Sequence, residues 1–361
     1  MKASIVIGAN YGDEGKGTIV ARLAKGSTNV LNILTNGGSQ RGHSILTRDG
    51  HSMTFQHFGS GTYHGADNYY GPEYILNPAQ FAKEYAELIV KPRHIYRDRR
   101  CRWTTPYDMM ANLIHEEQLG RKASCGMGIW NTIRRCDHTV ITLFDEFMAK
   151  SDEWKQRLYL QCVRDYYERQ MEIPEAWRDV WNSDGVIDHY LRDCTFLLTH
   201  TEVLDWAMLQ CAEYHYDHLI FENGQGLLLK DTGKDTADTT PSDTGIRYGL
   251  QMARQLHISD VTAHYVTRPY LTRHGDGHLS GETARTDIAS TVLEDRTNHY
   301  NDHQGEFRYG RLDIPDLYRR CADDARGVKF ELDITHCDEM DREQEFRREF
   351  DITNFHDSAE V

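Results

Sequence analysis

The 361-residue sequence lacks several features that would define a class at once. No apolar stretch approaches the roughly 20 residues that a membrane-spanning helix needs. The opening Met-Lys-Ala-Ser-Ile-Val-Ile-Gly has no signal-peptide cleavage region. Basic residues are in deficit: 41 Lys and Arg face 56 Asp and Glu, a formal charge of -15. That balance argues against a broad nucleic-acid or anionic-membrane surface, because such surfaces need cations to neutralise phosphates. The eight cysteines form no C-x-x-C pair and have no regular spacing. Reduced thiols in a cytoplasmic setting are therefore expected rather than a disulfide framework. Among 19 histidines there is no H-E-x-x-H or comparable metal-ligand spacing, so most are expected at the surface or as hydrogen-bonded core residues. Repeats and low-complexity tracts are also missing.

What is present points to an α/β fold. Ala3 to Ile7 and Val30 to Leu34 are short apolar runs bounded by turn residues, as expected for strands buried on both faces of a parallel sheet. Thr18 to Lys25 between them is helix-compatible, and Tyr74 to Leu76, His218 to Phe221 and Asp260 to Val266 read as further strands. From about Pro78 to Tyr214 the pattern changes to charged and aromatic segments such as "SDEWKQRLYLQCVRDYYERQM", whose apolar residues recur at helical spacing. Its tyrosines and tryptophan are expected to pack rather than to stack on a ligand. The expectation is one domain over 1–361, with a mainly parallel central sheet flanked by helices and a mostly helical insertion at about 79–215. The charged end, "DREQEFRREFDITNFHDSAEV", reads as a solvated helix with a frayed tail.

Two glycine-rich loops follow the first two strands, where an open α/β sheet places its ligand. The first, "GANYGDEGKGT" from Gly8 to Thr18, is not the Walker pattern G-x-x-x-x-G-K-[ST]: Asn10 stands five residues before Gly15, and Gly17 follows Lys16. Glycines at 12, 15 and 17, a helix start and Lys16 still make an anion site. Asp13 and Glu14 would repel phosphate unless Mg²⁺ intervenes or one of them does proton chemistry. The second loop, "NGGSQRGHS" from Asn36 to Ser44, offers His43 as a donor to a developing phosphate charge.

Together these loops resemble the adenylosuccinate synthetase family, whose first loop reads W-G-D-E-G-K-G and whose second reads G-G-x-N-A-G-H-T. The resemblance continues in order through "ASCGMGI" (123–129), "FENGQG" (221–226), "TRHGDG" (272–277, with Arg273), "FRYGRLD" (307–313) and "THCD" (335–338). It implies a carbon-nitrogen ligase that phosphorylates O6 of a 6-oxopurine nucleotide with a nucleoside triphosphate and then displaces the phosphate with the amine of aspartate. Asp13, His43 and Gln225 would be the catalytic residues. Asp13 would act as base and, with the Gly42 carbonyl, as Mg²⁺ ligand. Gly12, Gly15, Lys16, Gly17, Gly42, Ser44, His336 and Asp338 would hold the triphosphate nucleotide. Asp13, Gln40, Ser124, Cys125, Arg134, Arg135, Gln225, Thr240 and His274 would hold the monophosphate, with Arg134 or Arg135 reaching across a homodimer. His303, Gln304 and Arg308 would hold aspartate. The partners implied are these small molecules and a second subunit, with neither nucleic acid nor membrane.

Several positions depart from the family pattern. Cys125 replaces a hydroxyl residue, Gln40 an asparagine near the purine, and His336 the usual lysine, which opens ATP or dATP beside GTP as donor. Glu306 stands where an arginine would help grip aspartate and the substrate's 2'-hydroxyl. The altered positions and the short chain resemble the phage branch, which uses dGMP and leads to 2-aminoadenine nucleotides. That branch is the favoured reading over IMP, although some of its members lack the carboxylate that Asp13 keeps. A nucleotide-binding sensor that lost its aspartate grip is the reading from a different class, and a divergent phosphate-loop NTPase is disfavoured by the missing Walker spacing.

Overall fold

In the computed structural model, the described residues are 1–47, 50–120, 122, 124–149, 152–211, 213–230, 239–295 and 304–358. A nine-stranded sheet runs through them, every pairing parallel. Its spatial order is Thr353–Phe355, Lys329–Ile334, Val261–Thr267, Lys2–Gly8, His218–Gly226, Val30–Leu34, Asp67–Tyr70, Ile95–Arg97 and Glu202–Val203. The first strand is flanked by two strands from the far half of the chain, so loops distant in sequence emerge side by side at its carboxyl end. In an open parallel sheet that edge is where ligands bind.

The alternation of side chains along a strand divides the core into two layers. Ile5 and Ile7 of the first strand pack on one face with Leu31, Ile33, Phe221, Leu250 and Leu317, whereas Val6 packs on the other with Ile19, Val20, Ile220 and Val266. Ile19 and Val20 belong to the helix Lys16–Lys25, which lies directly after the first loop. A sheet covered on both faces explains why these strands read as continuous apolar runs.

Helices Pro78–Glu87, Pro106–Leu119, Ile129–His138, Phe144–Met148, Glu153–Glu168, Glu175–Trp181 and Asp184–His200 fill most of the segment between positions 78 and 200. Ile95–Arg97 and Glu202–Val203 return to extend the sheet edge. Leu160, Val163 and Tyr167 of the aromatic-rich stretch are buried in this helical core, while Trp154 is exposed. Ile75 and Leu76 do form a strand, but it pairs with Arg102–Trp103 outside the main sheet. All eight cysteines are unpaired.

The charged end departs from expectation. The helix Glu343–Glu349 buries Phe346, and the chain then adds Thr353–Phe355 as an edge strand instead of fraying. The His356 backbone N–H donates to the Ile334 carbonyl at 2.8 Å, and His356 Nε2 and the Asp333 carboxylate are 3.0 Å apart. A short edge strand needs only one buried face, so a charged sequence can supply it.

Candidate active site

The first loop is inverted relative to an ordinary turn. Gly12, Asp13 and Gly15 have φ of 105°, 60° and 91°. At Gly15 this left-handed conformation coincides with a close approach, since a Cβ there would lie 2.9 Å from the Thr335 side chain. Glu14 turns back into the loop. Its carboxylate accepts from the N–H groups of Asn10 (3.0 Å) and Gly12 (2.8 Å) and pairs with Lys16 Nζ at 2.8 Å. Burial works against its charge, but Lys16 and these donors hold its pKa below the usual carboxylate value. Glu14 is thus a structural anion that orients Lys16, which answers one half of the question posed by two adjacent carboxylates.

Asp13 answers the other half. Its carboxylate makes no hydrogen bond among the described residues, and it lines both clefts of the carboxyl edge. Burial raises its pKa, and His274, Arg268 and Lys16 moderate the shift. A partly desolvated carboxylate without a committed partner suits proton abstraction.

The second loop packs against the first helix turn: a Cβ on Gly17 would lie 2.8 Å from the Ser44 carbonyl. Its His43 starts the hairpin strand His43–Leu46 and is buried. His43 Nδ1 lies 2.5 Å from Glu222 Oε1, while Nε2 is buried without a partner among the described residues. Glu222 also accepts from Arg41, from the Ser60 N–H at 3.0 Å and from the Ser60 hydroxyl at 2.7 Å. Burial opposes its ionisation, yet Arg41, His43 and Ser60 bring its pKa down to about 2. An ionised Glu222 only accepts, so the proton of neutral His43 sits on Nδ1 and Nε2 presents a lone pair. Burial, with Arg41 alongside, keeps His43 neutral down to about pH 4. Glu222 and Arg41 fall inside the quoted stretches "FENGQG" and "NGGSQRGHS", but neither is given a role there, one being an acidic residue inside a strand and the other a charge in a loop.

The wider cleft, about 610 Å³, is lined by Tyr11, Gly12, Gln40, Arg41, Ser124, Cys125, Arg134, Gln225, Thr240, Arg273, His274 and Gln304. Among the described residues Gln40 Oε1, Thr240 Oγ and His274 Nδ1 are buried there without partners, as polar groups awaiting a ligand would be. Ser124 donates to Asn112 Oδ1 at 2.8 Å, and burial pushes the Cys125 thiol up to about 11. Two of the expected residues lie away from the clefts. Arg135 is fully buried, bound to Asp108 through Nε (2.9 Å) and to the Trp103 carbonyl (2.8 Å), so it holds the helical region together and reaches no ligand. Arg134, exposed one position earlier on the helix, is the arginine at the cleft. Arg308 lines neither cleft: it pairs with Glu282 at 2.9 Å and donates to the Gly277 carbonyl at 2.7 Å. Glu306 is exposed, and His303 lies outside the described residues.

The narrower cleft is lined by Gly15, Lys16, Gly17, Ser44, Arg268, His336, Asp338 and Ser358. Asp338 is already engaged there, accepting from the Ser358 N–H at 2.7 Å and hydroxyl at 2.6 Å. His336 (φ 59°) has its pKa held well below the usual value by burial and by Arg268. The two clefts share Asp13, Lys16, Gly42 and His43. Among the described residues no group of three or more His, Cys, Asp or Glu side chains could hold a metal. The Asp13 carboxylate and Gly42 carbonyl on the shared wall do fit Mg²⁺, which takes few protein ligands when phosphates supply the rest.

Two joined clefts at the carboxyl edge of a parallel sheet, one over a glycine-rich anion loop, define a two-substrate nucleotide-binding α/β protein. The sequence matches the Adenylosuccinate synthetase family over residues 5–347, and the chain belongs to that family. The adenylosuccinate synthetases of Alkaliphilus metalliredigens and Halothermothrix orenii are 26% identical over 298 and 333 residues, covering 78% and 88% of this chain. The Microcystis aeruginosa enzyme is 25% identical over 287 residues and 77% of this chain. The matches span 66%, 73% and 62% of those relatives' own lengths. The fold is similar to fully ligated adenylosuccinate synthetase from Plasmodium falciparum, with a TM-score of 0.72, 19% identity and coverage of 95% of this chain and 78% of that one. It is also similar to cyanophage S-2L succinoaminodeoxyadenylate synthetase bound to dGMP and dATP, with a TM-score of 0.64, 15% identity and coverage of 98% and 91%.

Proposed function

We propose that this protein joins L-aspartate to C6 of a 6-oxopurine nucleotide, with dGMP the favoured acceptor, at the expense of a nucleoside triphosphate. The observation that carries this reading is the shared wall: Asp13, Lys16, Gly42 and His43 each line both clefts, so a phosphoryl group can pass between ligands without leaving the site. A sensor for one nucleotide would need neither the second cleft nor an uncommitted carboxylate and imidazole at the junction.

The chemistry follows from the residues. Asp13 takes the N1 proton, and the electron pair moves onto O6, which attacks the γ-phosphorus while the nucleoside diphosphate leaves. As the phosphates bind, His43 takes a second proton from water at Nε2 and uses it to donate a hydrogen bond to a phosphoryl oxygen. Glu222 stabilises the imidazolium so formed. Gln225, carrying both an amide donor and acceptor, orients the purine edge, and Arg273 with Gln304 faces the region left for aspartate. The neutral aspartate amine then forms the C6–N bond and loses a proton to water as phosphate departs with the original O6. Bound Mg²⁺, held by Asp13 and Gly42, would neutralise charge on the phosphates.

Three observations support dGMP and an adenine-type donor. Glu306 removes a cation from the acceptor side. Both oxygens of Asp338 are already used by Ser358 rather than open to guanine N–H groups. The fold comparison covers 91% of the cyanophage protein solved with dGMP and dATP. The IMP alternative is supported by the curated relatives, which are adenylosuccinate synthetases, and by the retained Asp13. The test is to supply Mg²⁺ and aspartate with ATP, dATP or GTP, offer dGMP, GMP or IMP separately, and weigh the products. Succinylated product from dGMP but not IMP is expected. Product from IMP alone would replace the acceptor, and no product from any combination would leave a sensor.

A further inference from the structure

Three successive carbonyls of the first loop are each held by a side chain, two from the stretch 268–272 and one from Thr335. Thr272 Oγ donates to the Gly12 carbonyl at 3.2 Å, Arg268 Nε to the Asp13 carbonyl at 2.7 Å, and Thr335 Oγ to the Glu14 carbonyl at 2.7 Å. The central member is the most committed. Arg268 is buried at 4% exposure, its NH2 donates to Asp295 at 2.5 Å, and the rings of Tyr270 and Phe307 lie 5.9 and 5.6 Å from its guanidinium. Asp13, whose carbonyl it grips, has a left-handed backbone at φ 60°, a conformation that costs a non-glycine residue free energy unless the surroundings fix it.

We infer that Arg268 is a positioning residue that locks the Asp13 backbone in its left-handed form, so that the Asp13 carboxylate stands at the junction of the two clefts. The inference rests on the ligase reading for its catalytic consequence, but not for its structural one. Thr272 and Thr335 fix the flanking carbonyls, and Arg268 fixes the one between them. With its carbonyl held by Arg268, Asp13 lines both clefts. The planar fork of arginine matters here, because one group binds the carbonyl while another holds Asp295; a lysine ammonium does not reproduce that geometry.

The test uses Arg268→Ala and Arg268→Lys in the full chain, each first checked for a native melting transition. With the acceptor and donor that support turnover, Arg268→Ala is expected to lower kcat by about 30-fold or more while nucleotide KM stays within about threefold, and Arg268→Lys to recover only part of the loss. Combined with Asp13→Asn, Arg268→Ala should add little to the loss from Asp13→Asn alone, because it acts through that residue. Fully multiplicative losses, or a rise in KM with kcat unchanged, would overturn the inference. Hydrogen exchange supplies the readout independent of turnover: in Arg268→Ala, peptides covering 8–18 should exchange faster while the rest of the sheet is unchanged. If the parent makes no product but that acceleration is seen, the ligase reading fails and the positioning role stands. Unchanged exchange would refute the positioning role whatever the reaction.

Discussion

Replacing Glu222 with glutamine is the most informative single perturbation of the site. The carboxylate is fully buried and accepts from Arg41, His43 and two groups of Ser60. Glutamine keeps the volume and one acceptor oxygen but removes the charge, leaving the Arg41 guanidinium, itself 1% exposed, without a counter-ion. Breaking a buried pair from one side costs about 3–5 kcal/mol, and the acceptor retained by glutamine places the expected loss near 3 kcal/mol. An unfolding entropy of about 2.1 cal/mol/K per residue makes that a fall of about 4 °C in melting temperature. Turnover should fall by about 10² or more, because the imidazolium that forms on His43 loses its stabilising charge. Thermal melts followed by circular dichroism, together with turnover under saturating substrates, check both halves. A variant that melts within about 1 °C of the parent and turns over within about threefold would refute the reasoning.

Other predictions follow from individual contacts. Asp13→Asn should cost about 10² or more in turnover with the fold intact; near-normal turnover would remove Asp13 as the base. Ser358→Ala frees one oxygen of Asp338, so the ratio of kcat/KM with GTP to that with ATP should rise; an unchanged ratio would show that this contact does not read the donor base. Burial lowers the pKa values of His43, His57 and His218 to about 4, 3 and 3, so the unfolded chain binds more protons between pH 4 and 6.5. The stability contributed by these neutral histidines is therefore complete above about pH 6.5 and lost as pH falls toward 4. Chemical denaturation at pH 7, 6 and 5 should show it, and a flat profile would contradict the burial of these rings as neutral groups.

The strands that could be read from the sequence are those buried on both faces, because burial there demands unbroken apolar runs. Val30–Leu34 and the core of Lys2–Gly8 are of this kind. Asp67–Tyr70 is equally buried yet opens with two polar residues instead of an apolar run: Asp67 accepts from the N–H groups of Arg93 and His94, and Asn68 bonds to Gly59 and Thr62. Those partners are known only once the fold is known. The two loops were legible because glycine spacing records backbone geometry directly. Which of two adjacent arginines faces the cleft was not, since that depends on the rotation of the helix Ile129–His138 about its axis. The role of Glu222, though the residue lies within "FENGQG", was not legible for a related reason: a carboxylate in a strand becomes part of the site only through Arg41, His43 and Ser60, all more than 160 residues earlier.

The central claim, that phosphate is placed on O6 and then displaced by aspartate, is tested most directly with dGMP carrying ¹⁸O at C6. In a mixture with Mg²⁺, aspartate and ATP, mass spectrometry of both products should show a succinylated nucleotide without the label and inorganic phosphate carrying one ¹⁸O. Unlabelled phosphate released without a succinylated nucleotide would contradict the account and leave simple triphosphate hydrolysis in its place.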